Sequence, residues 1–226
     1  MRQAYEEELK QLNISFFRMG RLVNEAIYKS VQAFVNHDKE LAKIVIEEDE
    51  KINQMEHDLE QSCIELIALQ QPVTTDLRKV ITVMKACADL ERMGDHAVSI
   101  AKSTIRVKGN KRVYEIEELI SQMAERVKEM VHSVLDAYTV DDVEQAKAVA
   151  EADKKVDQMR RDIHAECIEW IKQDSEVVVG STDYMLVSTY IERIGDYVTN
   201  ISEWILYLKT GEIVELNTHH HYPEEN

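Results

Sequence analysis

Apolar residues recur at alternating spacings of three and four along nearly the whole chain, which is the repeat of a helix that buries one face. The first run is Leu9, Leu12, Phe16, Met19, Val23 and Ala26. The second is Leu41, Val45, Glu48, Ile52, Met55, Leu59, Ser62, Leu66 and Leu69. Only 6 Gly and 2 Pro interrupt 226 residues, too few for the turns of a sheet protein. The pattern predicts an all-α protein of long helices packed in bundles.

Capping and breaking residues divide this pattern into six long helices. The first break is expected at 36–38, with Asp38 as the N-cap, and the second at Gln71-Pro72, because proline cannot continue a helix. Three further breaks are expected at Lys108-Gly109-Asn110, at 138–141, and over 174–182, which contains Gly180. Gly211 is expected to end the last helix.

The two halves of the chain resemble each other. Residues 47–65 align with 151–169 at an offset of 104 and are identical at 9 of 19 positions. At an offset of 101, a Glu-Arg-x-Gly-Asp motif occurs at 91–95 and again at 192–196. We infer an internal duplication, with each half an antiparallel three-helix bundle. The expected domains are 1–107 and 112–217, followed by a flexible tail, 218–226, whose three consecutive histidines are not expected to bind metal.

Charge and cysteine content limit the classes of partner. The formal net charge of −16 disfavours binding to nucleic acid or anionic lipid. Three separated cysteines in apolar helical runs are expected to be reduced, as in the cytosol. The N-terminal residues contain no apolar signal segment, and no apolar run reaches about 18 residues. We therefore expect a cytoplasmic protein that is not inserted in a membrane.

Each copy of the motif places two carboxylates one helical turn apart. Glu91 lies four residues before Asp95, and Glu192 four residues before Asp196, so each pair shares one helix face and repels. The glycine inside each motif weakens the helix by roughly 1 kcal/mol relative to alanine. Both costs occur twice at equivalent places, which suggests a purpose. Glycine allows close approach, and paired carboxylates supply hard oxygen ligands for a cation.

The second and fifth helices supply possible further ligands. Asp49 and Asn53 are four residues apart, and Asp153 and Asp157 occupy the aligned positions. An antiparallel neighbour could bring each pair against a motif and form one oxygen-rich cluster per half. Ligand type does not select among magnesium, manganese, calcium and iron. The alternative is a plain scaffold in which Arg92 and Arg193 neutralise the acids.

An enzymatic function is not expected. The chain contains no phosphate-binding loop, no dinucleotide fingerprint and no nucleophile paired with a base. Glu129-x-x-His132 matches one motif of di-iron carboxylate bundles, but those proteins need two copies. A carboxylate-bundle metal store or metalloenzyme remains the alternative function.

The motifs resemble those of the PhoU family. The resemblance rests on Ala88–Ala97, on Tyr190–Tyr197, and on the Leu66–Val73 segment followed by Asp76-Leu77-Arg78. It implies a dimeric cytoplasmic regulator that represses the phosphate-starvation response. It also implies binding to the ATPase subunit of the phosphate ABC transporter and to a sensor histidine kinase.

The resemblance also implies multinuclear metal, such as iron, zinc or another divalent cation. The implied ligands are Glu91, Asp95, Glu192, Asp196, Asp49, Asp153 and Asp157, with Asn53 at the eighth position. Asn53 is not acidic, and Tyr190 stands where the first motif copy has Asp89. Two equal clusters are therefore not expected.

Overall fold

The structure, a computed structural model, describes residues 2–106 and 111–216. Helix α1 spans Arg2–Asn36, α2 Lys39–Gln70 and α3 Thr75–Arg106. In the second half, α4 spans Tyr114–Val140, α5 Val143–Gln173 and α6 Val178–Thr210, with a short 3-10 turn at Ser175–Val177 before α6. These elements confirm an all-α fold of six long helices in two tandem three-helix bundles.

The two bundles lie side by side. Helices α1, α2 and α3 pack on one another, as do α4, α5 and α6, while α3 contacts α6 and α1 contacts α4 across the halves. One large apolar core runs through both halves, and Ala33, Ala42, Val45 and Ala101 form a separate small cluster. Its largest fully buried side chains are Phe16, Met19, Ile27, Leu59, Leu90, Met93, Ile100, Ile116, Ile120, Met123, Ile163 and Ile191. The predicted division into domains at 107 and 112 stays a prediction.

The turns between helices repeat as the sequence does. Asp38 caps α2 by accepting a hydrogen bond from Leu41 N at 2.9 Å, which confirms the predicted N-cap. Asp142, the aligned residue, caps α5 in the same way through Gln145 N at 3.0 Å. The residue before each cap, His37 or Asp141, has a positive φ. The duplication therefore extends to the backbone of the turns.

Two other predicted helix ends are confirmed, and one boundary is corrected. Helix α2 ends at Gln70, before Pro72, and Gly211 closes α6 with a φ of 80°. Gly180 lies inside α6 rather than in the preceding turn. The turn is shorter than expected because Asp174 accepts from Glu176 N and starts the 3-10 turn that leads directly into α6.

Some expectations concern residues outside the described part. These are Lys108-Gly109-Asn110 and the tail 218–226. Among the described residues, no helix combines the length and apolar character required to cross a bilayer.

Candidate functional site

Helices α2 and α3 bring the predicted site residues of the first half together. Gly94 of α3 faces α2, and a Cβ at that position would lie 3.5 Å from Asp49 Oδ1. Asp49 and Glu91 are close enough to Asp95 for its charge to raise the pKa of both. The glycine therefore allows α2 to approach and places Asp49 beside the motif carboxylates, as the sequence predicts.

The negative charge of the first cluster is only partly compensated, although Arg92 opposes the rise in the pKa of Glu91. Burial raises the pKa of Asp49, and the charge of Asp95 raises it further. The Asp49 Oδ1 atom is buried and accepts no hydrogen bond, while Oδ2 accepts a long one from Asn53 Nδ2 at 3.4 Å. Lys102 offsets only part of this effect. An added cation would therefore stabilise the ionised form of these carboxylates.

Glu56 belongs to the same cluster and was missed by the sequence reasoning. Its charge raises the pKa of Glu91, after burial and Asp95. Burial raises the pKa of Glu56 itself, and the neighbouring Glu60 raises it further by its charge and a hydrogen bond. The signal was present in the sequence, because positions 49, 53, 56 and 60 follow the spacing of one helix face.

The second half has the same backbone arrangement and tighter packing. Asp153 is fully buried, and a Cβ at Gly195 would overlap its Oδ1 atom. Glu192 is also buried, at 6% exposure. Asp157 lies on the same face of α5, and its charge raises the pKa of Glu192. The structure therefore brings all eight predicted residues to two equivalent places, four in each half.

Two arginines distinguish the second cluster. Arg160 Nε lies 3.3 Å from Glu192 Oε1, although its N–H is not aligned on the oxygen. Arg193 lies 3.9 Å from the other oxygen of Glu192 and 3.3 Å from Asp196. Burial still raises the pKa of Glu192, with Asp196 adding to it, and both arginines oppose the shift. Arg160 is the aligned counterpart of Glu56 at the offset of 104. The second half therefore carries its own cations.

Asp89 and His96 face the contact between α3 and α6 instead of α2. Asp89 accepts hydrogen bonds from Trp204 Nε1 at 3.1 Å and Asn200 Nδ2 at 3.3 Å. The His96 ring stacks on Tyr190 and on Tyr197, each at 5.8 Å between centroids. The Asp89-to-Tyr190 difference between the repeats therefore changes the contact between the halves and not the ligands of the two clusters.

The structure also shows the surroundings of the motif arginines and of the Glu129-x-x-His132 motif. Arg92 lies over the ring of Tyr197 at 5.9 Å, whereas Arg193 pairs with its own motif acids. The side chain of His132 is 74% exposed and lies 3.4 Å from Asp136. Glu129-x-x-His132 is thus on the surface and gives no support to a di-iron site.

The first cluster contains the oxygen ligands that a divalent cation prefers, but their present arrangement does not form a binding site. Within residues 2–106 and 111–216, no group of three or more Asp, Glu, His or Cys side chains is arranged to hold a metal ion as it stands. In the first cluster the candidate donors are the unbonded Asp49 oxygen, Glu91 and Asp95. In the second cluster Arg160 and Arg193 already contact the acids that would bind a cation.

The duplicated bundles and paired carboxylate clusters define a class of tandem three-helix-bundle proteins. A family model described as the PhoU domain matches residues 16–104 and 120–205. The chain belongs to the PhoU family.

Relatives over almost the full length support this assignment. The chain is 38% identical over 217 residues to the phosphate-specific transport system accessory protein PhoU homolog of Streptococcus pneumoniae TIGR4, covering 96% of this chain and 100% of the relative. It is 32% identical to PhoU of Escherichia coli K12, covering 92% and 86%. The crystal structure of PhoU from Streptococcus pneumoniae superimposes with a TM-score of 0.87 at 37% identity, covering 93% and 99%. The solved structure and the sequence relatives therefore support the same family, whose members are named as accessory proteins of phosphate transport.

Proposed function

We propose that this chain is a non-enzymatic regulator that restrains the phosphate ABC transporter through its ATPase subunit and represses the starvation response through a sensor histidine kinase. The observation that carries the proposal is the family match across both halves, to relatives named as phosphate-specific transport system accessory proteins. In the proposed setting the protein is cytoplasmic and forms a homodimer.

A deletion strain tests the regulatory role. Without the gene, a phosphate-starvation reporter is expected to stay active in high phosphate, and the wild-type gene on a plasmid should restore repression. Pull-down of the ATPase subunit and the kinase with the wild-type chain then tests the partners. Normal repression in the deletion strain would refute the proposal, whatever the result of the pull-down.

We further propose that the first cluster is the stronger of two divalent-cation sites. Asp49, Glu91 and Asp95 would hold the cation, with Asn53 and Glu56 beside them, and iron, zinc or manganese suits this set of oxygen and amide donors. The supporting observation is the buried Asp49 oxygen without a hydrogen bond, next to carboxyls whose pKa values are raised. Glu192, Asp196, Asp153 and Asp157 form the weaker site.

Metal analysis with matched variants tests this second proposal. The purified chain is loaded with Mn²⁺, desalted and analysed by mass spectrometry, and anomalous diffraction locates the ion. Glu91→Gln/Asp95→Asn is expected to remove most of the bound metal, whereas Glu192→Gln/Asp196→Asn removes little. Less than about one equivalent in the wild-type chain after loading, or equal losses in the two variants, would contradict the proposal.

A further inference from the structure

A long groove runs between α1 and α2 on the surface of the first bundle. Its volume is about 1100 Å³. Buried Leu12, Leu59 and Leu66 line it, and Leu69 lies along it with 75% of its surface exposed. A hydrogen bond between Gln70 and Glu8 spans the two helices near one end. Buried leucines therefore form the floor of the groove, while Leu69 is largely exposed and Leu22 and Met55 are partly exposed along it.

The length of the groove matches that of a helix. It follows residues 7–22 of α1 and 50–69 of α2. At a rise of about 1.5 Å per residue, these stretches correspond to roughly 22 to 28 Å, the length of a helix of about 15 to 19 residues. Along α2 the apolar lining residues Met55, Leu59, Leu66 and Leu69 recur at helical spacing, as in grooves that receive an amphipathic helix.

The charge of the rim selects the occupant. Five acidic side chains line the groove and only two basic ones do, namely Glu7, Glu8, Glu50, Asp58 and Glu65 against Arg18 and Lys51. Such a rim attracts a basic helix and repels acidic surfaces. At this groove a second copy of this chain, with a net charge of −16, is disfavoured, so the proposed homodimer would use another surface, and an anionic membrane is disfavoured too.

We propose that the α1–α2 groove binds a basic amphipathic helix of a partner protein. The helix places an apolar stripe against Leu69, Leu22 and Met55, and its lysines or arginines pair with Asp58, Glu65 and the other rim acids. The groove lies between α1 and α2, whereas the cation cluster lies between α2 and α3. The interaction does not depend on the regulatory role or on bound metal.

A synthetic peptide tests the proposal on the full chain. The probe is a fluorescein-labelled helix of about 18 residues, with leucines at spacings of three and four and lysines elsewhere. The control peptide has the same composition in scrambled order. We expect saturable binding of the first peptide by fluorescence polarisation, at least about tenfold tighter than the scrambled one and weaker at high salt.

The duplication supplies a matched control variant. Asp58→Lys/Glu65→Lys reverses two exposed rim charges, and Asp162→Lys/Glu169→Lys makes the same change at the aligned positions of α5. Asp58 and Asp162 even accept equivalent hydrogen bonds, from Gln54 at 2.8 Å and Gln158 at 2.7 Å. The groove variant should weaken peptide binding about tenfold or more, and the α5 variant by less than about threefold.

The apolar contribution has its own test. Leu69→Ser removes an exposed side chain and should leave the fold intact by circular dichroism. It is expected to weaken binding about threefold or more. Equal binding of the two peptides, equal loss in the two charge variants, or no effect of Leu69→Ser would overturn the proposal. So would a change of oligomeric state in the groove variant alone, which assigns the groove to a second copy, or binding of the chain to anionic vesicles.

Discussion

The two halves differ in charge on the helix that packs against the motif helix. Helix α2 carries Glu56 and Glu60 there, whereas the aligned positions of α5 carry Arg160 and His164. Burial and the charge of Glu60 raise the pKa of Glu56, while Arg160 pairs with Glu192. The helices, turns and motif glycines around these residues are otherwise equivalent.

The comparison separates what the fold requires from what a site requires. The bundle needs apolar residues at core positions and a glycine where α2 meets α3, and both halves have them. The charge at position 56 or 160 is not needed for packing. One half therefore has an excess of negative charge that an external cation can neutralise, and the other has an internal guanidinium in its place.

Exchanging these two residues is expected to have the largest effect. At an effective dielectric of about 20, a unit charge several ångströms away is worth roughly 2–4 kcal/mol, which solvent screening reduces. Glu56→Arg should lower the Mn²⁺ affinity of the first cluster about a hundredfold by isothermal titration calorimetry. Arg160→Glu should strengthen binding in the second half by at least about tenfold.

The control for this exchange is Glu47→Arg, since Glu47 is exposed on another face of α2. Its effect on affinity should be less than about threefold. If Glu56→Arg and Glu47→Arg weaken binding equally, net charge rather than the local cluster governs the affinity, and the comparison fails.

The next prediction concerns Asp89 and Tyr190, which occupy equivalent positions of the repeat. Asp89→Ala leaves the indole N–H of Trp204 and the amide of Asn200 without their acceptor, and should lower the free energy of unfolding by about 2 kcal/mol. Tyr190→Phe keeps the ring stacked on His96 and should cost less than about 0.5 kcal/mol. Urea denaturation measures both, and equal losses would contradict this difference.

The motif glycines should also respond unequally to alanine. At Gly195 the new methyl group overlaps Asp153 Oδ1 in a fully buried position, and overpacking of about 1–3 kcal/mol exceeds the helix propensity gained. At Gly94 the added methyl group would lie 3.4 Å from its nearest neighbours, two carbon atoms of Ile52. We expect a net loss of about 1–2 kcal/mol for Gly195→Ala. Gly94→Ala should be neutral or stabilising by up to about 1 kcal/mol. Similar thermal unfolding curves for the two variants would contradict the difference.

The sequence predicted the fold because its signals are local and repeated. Periodicity, the cap at Asp38 and the breaks at Pro72 and Gly211 depend on residues a few positions apart. The one corrected boundary, near Gly180, depended on how a 3-10 turn continues into α6. The exposed Leu69 also departs from the predicted seam, because a strict seven-residue repeat drifts around a helix of 3.6 residues per turn.

The sequence predicted that the eight candidate residues lie together in two places, but it missed Glu56 and the charge balance, and their binding of metal stays a prediction. The aligned spacing brought the eight candidate residues to two places, four in each half. Which arginine pairs with which acid depends on side-chain direction between helices, so Arg193 and Arg92 behave differently despite identical motifs. The contrast between Glu56 and Arg160 was visible in the alignment, yet its meaning required knowing that both face the motif helix.

The smallest expected effect concerns pH. Burial and the charge of Arg160 lower the pKa of His164, whose Nε2 lies 3.1 Å from Ser188 Oγ. Because its folded-state pKa lies below the unfolded value, the unfolded chain binds more protons as pH falls through about 6.5, and stability is lost in that window. His164→Gln should reduce this loss by a few tenths of a kcal/mol, since one pKa unit is worth about 1.4 kcal/mol.

Urea denaturation of the metal-free chain at pH 7.5 and 5.5 measures this effect, with His132→Gln, at a largely exposed side chain, as the control. The first half has Glu60 at the aligned position, so acidification adds a cation to the second half and none at that position of the first. An unchanged pH dependence in His164→Gln would contradict the assignment of this loss to His164.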